Sequence, residues 1–209
     1  MYPINNPNID PLCVSYNFFN KEDLKNIFNY TNSIEFQPAK INNFDEKKKI
    51  KKLKGKLNKK HRNCEVKVIP LNKETNWIYE KIIEKINFVN YKNYNMILKF
   101  IEPLNFLKYS YNEIEDDGGY YHIHVDDDGL YSSHNYLTIR KLTFVVQLSE
   151  PKDYEGGKLF LYYDQEKHES PNEFGSIIIF PSGIAHEVTP VTKGVRHSLV
   201  GWIVGPNIL

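Results

Sequence analysis

The spacing of apolar residues changes character near residue 94. Before that point, Leu24, Ile27 and Phe28 recur at helical spacing behind Asn20, a residue type that caps helices, with Glu22 and Asp23 in the first turn. The spacing predicts a helix over 21–31. A second helix is predicted from a Thr75 cap to about Val89, carried by Trp77, Ile78, Ile82, Ile83, Ile86 and Phe88, with Trp77 as core filler. Between the two, residues 63–69 alternate as a half-buried strand should, and Pro70 stops them.

Beyond residue 94 the pattern becomes a series of short β-type runs, at 95–101, 105–111, 119–126, 139–148, 158–163, 175–180, 184–190 and 195–204. Turn residues separate them, at Asp117-Gly118-Gly119, Glu155-Gly156-Gly157, Asn172 to Gly175, Pro181-Ser182-Gly183 and Lys193-Gly194. This order predicts a mainly β chain with flanking helices (α+β), an antiparallel sandwich or jelly roll buttressed on one face by the N-terminal helices. A length of 209 residues suits one domain spanning 1–209, with 1–94 as a helical and strand support region and 95–209 as the jelly-roll core.

Charge adds little on the scale of the chain: 27 basic and 26 acidic side chains nearly cancel, so no global field draws it to nucleic acid or an anionic membrane. Locally, nine lysines and Arg62 crowd residues 47–62. That run reads as a solvated loop or surface helix, with docking to an acidic protein or RNA surface as its rival. Two cysteines, Cys13 and Cys64, make no disulfide framework or zinc pattern and fit a reducing compartment. The N-terminus lacks a signal-peptide pattern, and no run approaches the roughly 20 apolar residues of a membrane span. The expectation is a soluble, cytoplasmic protein with no membrane partner.

The chemistry concentrates in the β region. His124 and Asp126 lie two apart on a predicted strand, so both side chains leave the same face and can reach one ion. An imidazole and a carboxylate so placed are two of the three ligands of the facial triad of non-haem Fe(II), and His186, following the Pro181-Ser182-Gly183 turn, supplies the third. His122 shares the face of His124, but pairing those two would leave Asp126 idle. Ten residues after His186, Arg196 shares a strand face with Ser198, Val200 and Trp202. A guanidinium pointing into a barrel needs an anion, and its fork matches a carboxylate.

The segments Tyr121-x-x-His124-x-Asp126, Arg140 to Ser149, Tyr154 to Leu159, Phe180 to His186 and Val188 to Trp202 resemble, in order, the prolyl-hydroxylase-like branch of the 2-oxoglutarate and Fe(II) oxygenases. The resemblance covers residues 105–206, and more weakly the stretch from His61-Arg62 through Lys81. It implies a double-stranded β-helix with Fe(II) at its mouth, held by His124, Asp126 and His186. It also implies 2-oxoglutarate and O2 as co-substrates, with ascorbate as a stimulating reductant. Arg196 would take the C5 carboxylate, assisted by Ser198. Tyr111 resembles the tyrosine that hydrogen-bonds 2-oxoglutarate, with Tyr109 as its rival, and Gln147 stands where some relatives place a tyrosine near the co-substrate.

The implied activity is hydroxylation of a prolyl residue in a protein or peptide, with release of succinate and CO2. Substrate contacts are expected from Tyr121 and Trp202, and from Tyr131 and Tyr136 in a loop at 127–138. Hydroxylation of a free amino acid or other small molecule is the alternative. Oxidative demethylation of nucleic acid is disfavoured because Trp202 stands where that branch carries a second arginine. A jelly-roll binding module without chemistry is disfavoured by the complete ligand set.

Overall fold

The computed structural model describes residues 11–45, 50–56, 58–126 and 138–207. In chain order its main elements are β1 (Cys13–Ser15), α1 (Lys21–Asn32), β2 (Gln37–Pro38), β3 (Arg62–Asn63), β4 (Glu65–Ile69), α2 (Asn76–Val89) and β5 (Leu104–Asn112). They continue with β6 (Tyr120–His124), β7 (Thr138–Gln147), β8 (Leu159–Tyr163), β9 (Glu166–Glu169), β10 (Ile177–Pro181), β11 (Ala185–Val188) and β12 (Val191–Pro206). Two antiparallel sheets result. The larger runs β1-β10-β7-β12-β5-β4-β2 and the smaller runs β9-β8-β11-β6-β3. This is the jelly roll that the alternation predicts.

The predicted strand at 63–69 is in fact two. Arg62 and Asn63 pair with Tyr121 and Tyr120 in the small sheet, while Glu65 to Ile69 pair with β5 in the large one. The chain therefore crosses between sheets at Cys64, and the N-terminal region supplies strands to both. Part of the lysine run also departs from expectation: Ile41–Asp45 and Ile50–Lys56 form an antiparallel pair rather than a loop or helix. Residues 95–98 are not strand, because a five-residue π turn over Asn90–Tyr94 ends at Asn95 with φ 50° and only Phe100–Ile101 pairs.

Helix α1 starts as predicted. The Asn20 side chain accepts from the amides of Glu22 and Asp23, and Asp23 accepts back from the Asn20 amide at 3.0 Å. Thr75 precedes α2 but does not cap it through its side chain. Its hydroxyl donates to the Pro70 carbonyl at 2.6 Å, and the Asn72 side chain accepts from the Glu74 and Thr75 amides instead. Both helices lie on one face of the large sheet, where Leu24, Ile27, Ile78, Ile82 and Ile86 pack against Phe106, Phe144 and Leu199. Trp77 meets Phe19 edge-on at 6.0 Å within this layer, a core role as expected.

A second apolar cluster fills the space between the sheets, with Leu107, Tyr109, Val145, Leu161, Ile178 and Phe180 at its centre. Period-two alternation thus gives every large-sheet strand a helix side and an inner side. On β12, Leu199 and Ile203 take the helix side while Arg196 and Ser198 turn inward.

His197 lies on the helix side, with the rings of Phe28 and Phe106 each 5.4 Å away. Burial, reinforced by Lys108 and Lys67, lowers its pKa to about 4. Its unfolded value is near 6.5, so the unfolded chain binds the extra proton between those limits. The neutral ring's contribution to stability is complete above about pH 6.5 and is lost as the pH falls towards 4, on the order of 3 kcal/mol. His197→Phe keeps an aromatic ring without a titrating group. Urea midpoints at pH 7.5 and 4.5 should fall further in the native protein than in this variant, and equal falls would remove His197 as the cause.

Candidate active site

The inner space opens into a cavity of about 410 Å3 where β5, β6, β7, β11 and β12 converge. His124 at the end of β6 lies opposite His186 on β11 in the strand register, and Asp126 follows two residues on. A backbone bond from the Asp126 amide to the Ser182 carbonyl, 3.0 Å, ties this segment to the turn that precedes His186.

The donor atoms of His124, Asp126 and His186 all lie within 4.8 Å of one another. His124 Nε2 is 3.7 Å from Asp126 Oδ1, and His186 Nε2 is 3.4 Å from Oδ2. The two imidazoles are oriented alike: His124 Nδ1 bonds the His122 carbonyl at 2.8 Å and His186 Nδ1 the Ile184 carbonyl at 2.9 Å. A carbonyl accepts only, so each Nδ1 carries the hydrogen and each Nε2 presents its lone pair towards Asp126. That is the tautomer a metal-ligating histidine needs.

The electrostatics agree. Burial lowers His124 to about 3, assisted by the neighbouring His186. Burial opposes charge on His186 too, but the Asp126 carboxylate beside it raises its pKa. Burial works against the charge of Asp126, yet His186 and His124 hold its carboxyl well below the usual range. One carboxylate faces two imidazole nitrogens in a site suited to a divalent cation, and these residues fit Fe(II). His122 takes no part: its side chain lies beside Tyr120 and His61, with ring centroids 4.6 Å and 6.1 Å away.

Two residues missed from the sequence fix the carboxylate. Thr143 Oγ1 donates to Asp126 Oδ2 at 2.9 Å and lies 3.0 Å from Ser182 Oγ, and both hydroxyl residues are fully buried. This occupies one carboxylate oxygen and leaves Oδ1 free of that bond. Thr143→Val keeps the shape and removes the donor, so Fe(II) or Mn(II) affinity should fall by about 10-fold to 100-fold, the usual cost of losing such a support. Titration calorimetry would check it. An unchanged affinity would make the contact incidental.

Arg196 is 1% exposed. Its Nη2 donates to Gln147 Oε1 at 3.0 Å, while its Nη1 and the Ser198 hydroxyl have no hydrogen-bond partner among the described residues. Gln147 therefore holds the arginine and does not line the cavity, in contrast with the expected contact to a co-substrate. The strand register places Tyr109 directly opposite Arg196, with the guanidinium 5.4 Å from its ring centroid. Tyr111 sits further along β5, opposite Gly118, and its hydroxyl bonds Asp116 at 2.6 Å outside the cavity lining. Of the two rivals, the tyrosine beside Arg196 is Tyr109. Burial raises its pKa, so it remains a neutral hydrogen-bond donor.

Tyr121 stacks on His124 with ring centroids 3.5 Å apart, and burial pushes its pKa up to about 12. Arg62 lies over the same tyrosine at 4.5 Å. Trp202 lines the cavity beneath the guanidinium of Arg140, 3.7 Å from its ring centroid, and its Nε1 is buried without a partner among the described residues. Arg140 is held in turn by both carboxylate oxygens of Glu102, at 2.9 and 2.7 Å. Tyr131 and Tyr136 lie outside the described residues. No helix among the described residues is long and apolar enough to cross a membrane.

The sequence model of the 2OG-Fe(II) oxygenase superfamily matches residues 104–204. A PKHD-type hydroxylase of Gloeothece citriformis is 36% identical over 83 residues, which are 40% of this chain and 36% of that relative. One from Stenotrophomonas maltophilia is 32% identical over 101 residues, 48% of this chain and 44% of the relative. The chain thus spans less than half the length of these curated relatives.

Among solved structures, a Pseudomonas putida prolyl-4-hydroxylase superposes with a TM-score of 0.63 at 19% identity, covering 92% of this chain and 91% of that one. A Trichoplax adhaerens prolyl hydroxylase, solved with a hypoxia inducible factor peptide fragment, gives 0.69 at 16% identity over 92% and 83%. These likenesses concern the fold. The superfamily match falls on the strands that carry His124, His186 and Arg196, and over residues 104–204, just under half of its length, the chain is similar to the 2OG-Fe(II) oxygenase superfamily.

Proposed function

We propose that this chain is an Fe(II)- and 2-oxoglutarate-dependent dioxygenase that hydroxylates a prolyl residue in a protein or peptide. The observation that carries the reading is the meeting, in one cavity, of a two-histidine, one-carboxylate set and a buried arginine with an unpartnered Nη1. His124, Asp126 and His186 would hold the metal, and Arg196, Ser198 and Tyr109 the far carboxylate of 2-oxoglutarate. When bound, the metal and its co-substrates supply the oxidising chemistry, consuming 2-oxoglutarate and O2 and giving succinate, CO2 and a hydroxylated product.

The chain's own contribution is placement and shielding. The three ligands come from two paired strands and the segment after one of them, so they are set before anything binds. Arg196 is preset by Gln147, and Leu107, Val145, Leu159 and Val188 give the cavity apolar walls that limit water. A volume of about 410 Å3 falls within the range of small-ligand pockets, roughly 300–1,000 Å3. Tyr121 and Trp202 offer aromatic surface near the metal ligands for a ring such as that of proline.

The substrate class draws support from its relatives, which include a prolyl-4-hydroxylase and a prolyl hydroxylase solved with a peptide. Trp202, stacked under Arg140 six positions after Arg196, speaks against the nucleic-acid branch. Incubation with Fe(II), 2-oxoglutarate, ascorbate and a panel of proline-containing peptides should release succinate and add one oxygen to proline. Turnover of free L-proline or a methylated oligonucleotide, with every peptide unmodified, would replace this reading.

A further inference from the structure

Among the described residues, Arg62 is the arginine lining the cavity that nothing above employs. Lys40, Arg62, Arg140 and Arg196 line the cavity against two carboxylates, Glu102 and Asp126. Glu102 is committed to Arg140 through a two-point bond. Asp126 faces the two histidines, and Arg196 is held by Gln147 with Nη1 left for the co-substrate.

Arg62 has no carboxylate among the described residues. Its Nε donates to Cys64 Sγ at 3.0 Å, and its guanidinium lies 4.5 Å from the centroid of Tyr121. The tyrosine face offsets part of the desolvation of the charge, but a thiol and a ring leave the rest of a planar fork free. Tyr121 in turn lies against the metal ligand His124 at 3.5 Å, so the free fork stands one aromatic ring from the reacting centre. Lys40, exposed on the same lining, adds positive potential.

We propose that Arg62 recognises a carboxylate of the primary substrate, carried next to the carbon that is hydroxylated. This rests on the oxygenase reading and narrows its substrate to an acidic one. The carboxylate has two sources: an Asp or Glu side chain beside the target residue within a peptide, or the terminal carboxylate of a peptide or free amino acid. In either case the fork engages it in the planar geometry that a lysine cannot reproduce.

The test measures binding without turnover, by titration calorimetry on the Mn(II)-loaded protein with 2-oxoglutarate. The probes are terminally blocked proline peptides with a neighbouring Asp or Glu and their Asn or Gln twins, peptides ending in a free prolyl carboxylate and their amide twins, and L-proline with its amide. In one series the carboxylate form should bind at least about tenfold more tightly than its twin, and that series names the source. Arg62→Gln should cut the advantage below about twofold while 2-oxoglutarate affinity and melting temperature hold, and Arg62→Lys should recover part of it.

Equal binding of every pair, or no binding by any probe, overturns the proposal. So does a loss of 2-oxoglutarate affinity in Arg62→Gln matching the loss for substrate, which would assign Arg62 to the co-substrate. A carboxylate preference without a hydroxylated product leaves this inference standing and removes the prolyl-hydroxylase reading.

Discussion

Asp126→Ala is expected to lose its metal and with it all turnover above background, while remaining folded. The carboxylate is the one anionic member of the ligand set, standing 3.7 Å and 3.4 Å from the two imidazole Nε2 atoms. Two neutral imidazoles without it keep some affinity for a divalent ion but neither its charge balance nor its three-point geometry. The loss should exceed the roughly 10-fold to 100-fold that outer supports cost.

The fold should tolerate the change in the metal-free state. Removing Asp126 takes away the group that raises the pKa of His186, and a buried imidazole then stays neutral at little expense. Metal titration, melting temperature and succinate release separate the cases. Full metal binding in Asp126→Ala would remove Asp126 from the ligand set, and loss of the melting transition would make the residue structural instead.

The candidate ligand residues were legible in the sequence because their grouping depends on local rules. Two residues on a strand share a face whatever the strand pairs with, and a histidine after a Pro-Ser-Gly turn announces the start of another strand. Arg196 and Ser198 were legible for the same reason. What depended on register was not. Tyr109 and Tyr111 share a face of β5, and only the pairing of Tyr109 with Arg196 separates them.

Thr143 lies on β7 and Ser182 in the turn after β10, both remote in sequence from Asp126, and nothing in their own neighbourhoods marks them. Arg62 was read as part of a charge run. It reaches the cavity because the chain changes sheets at Cys64, a consequence of pairing with Tyr120 and Tyr121 that alternation alone does not contain. Gln147 was placed near the co-substrate from resemblance, and its bond to Arg196 shows that its neighbour is the arginine itself.

Arg196 variants should separate stability from co-substrate binding. Arg196 is 1% exposed, and its hydrogen-bond partner among the described residues is neutral, Gln147 Oε1 at 3.0 Å. A buried cation without a carboxylate is costly, and replacing such a group with an apolar side chain of similar length is often neutral or stabilising. Arg196→Met should therefore melt at the native temperature or above it in the absence of 2-oxoglutarate. It should also lose the rise in melting temperature that the ligand gives the native protein by mass action.

Arg196→Lys keeps a charge but not the fork. A single ammonium cannot hold Gln147 in the guanidinium's geometry and also present a donor where Nη1 stands beside the unpartnered Ser198 hydroxyl. Apparent affinity for 2-oxoglutarate should fall at least about tenfold, on the order of 1.4 kcal/mol. Gly157 makes this site intolerant of adjustment, since a Cβ there would come within 3.0 Å of Arg196 Cδ and the residue holds φ +56°. An unchanged Michaelis constant for 2-oxoglutarate in Arg196→Lys, or a ligand-induced melting shift surviving in Arg196→Met, would place the co-substrate carboxylate elsewhere in the cavity.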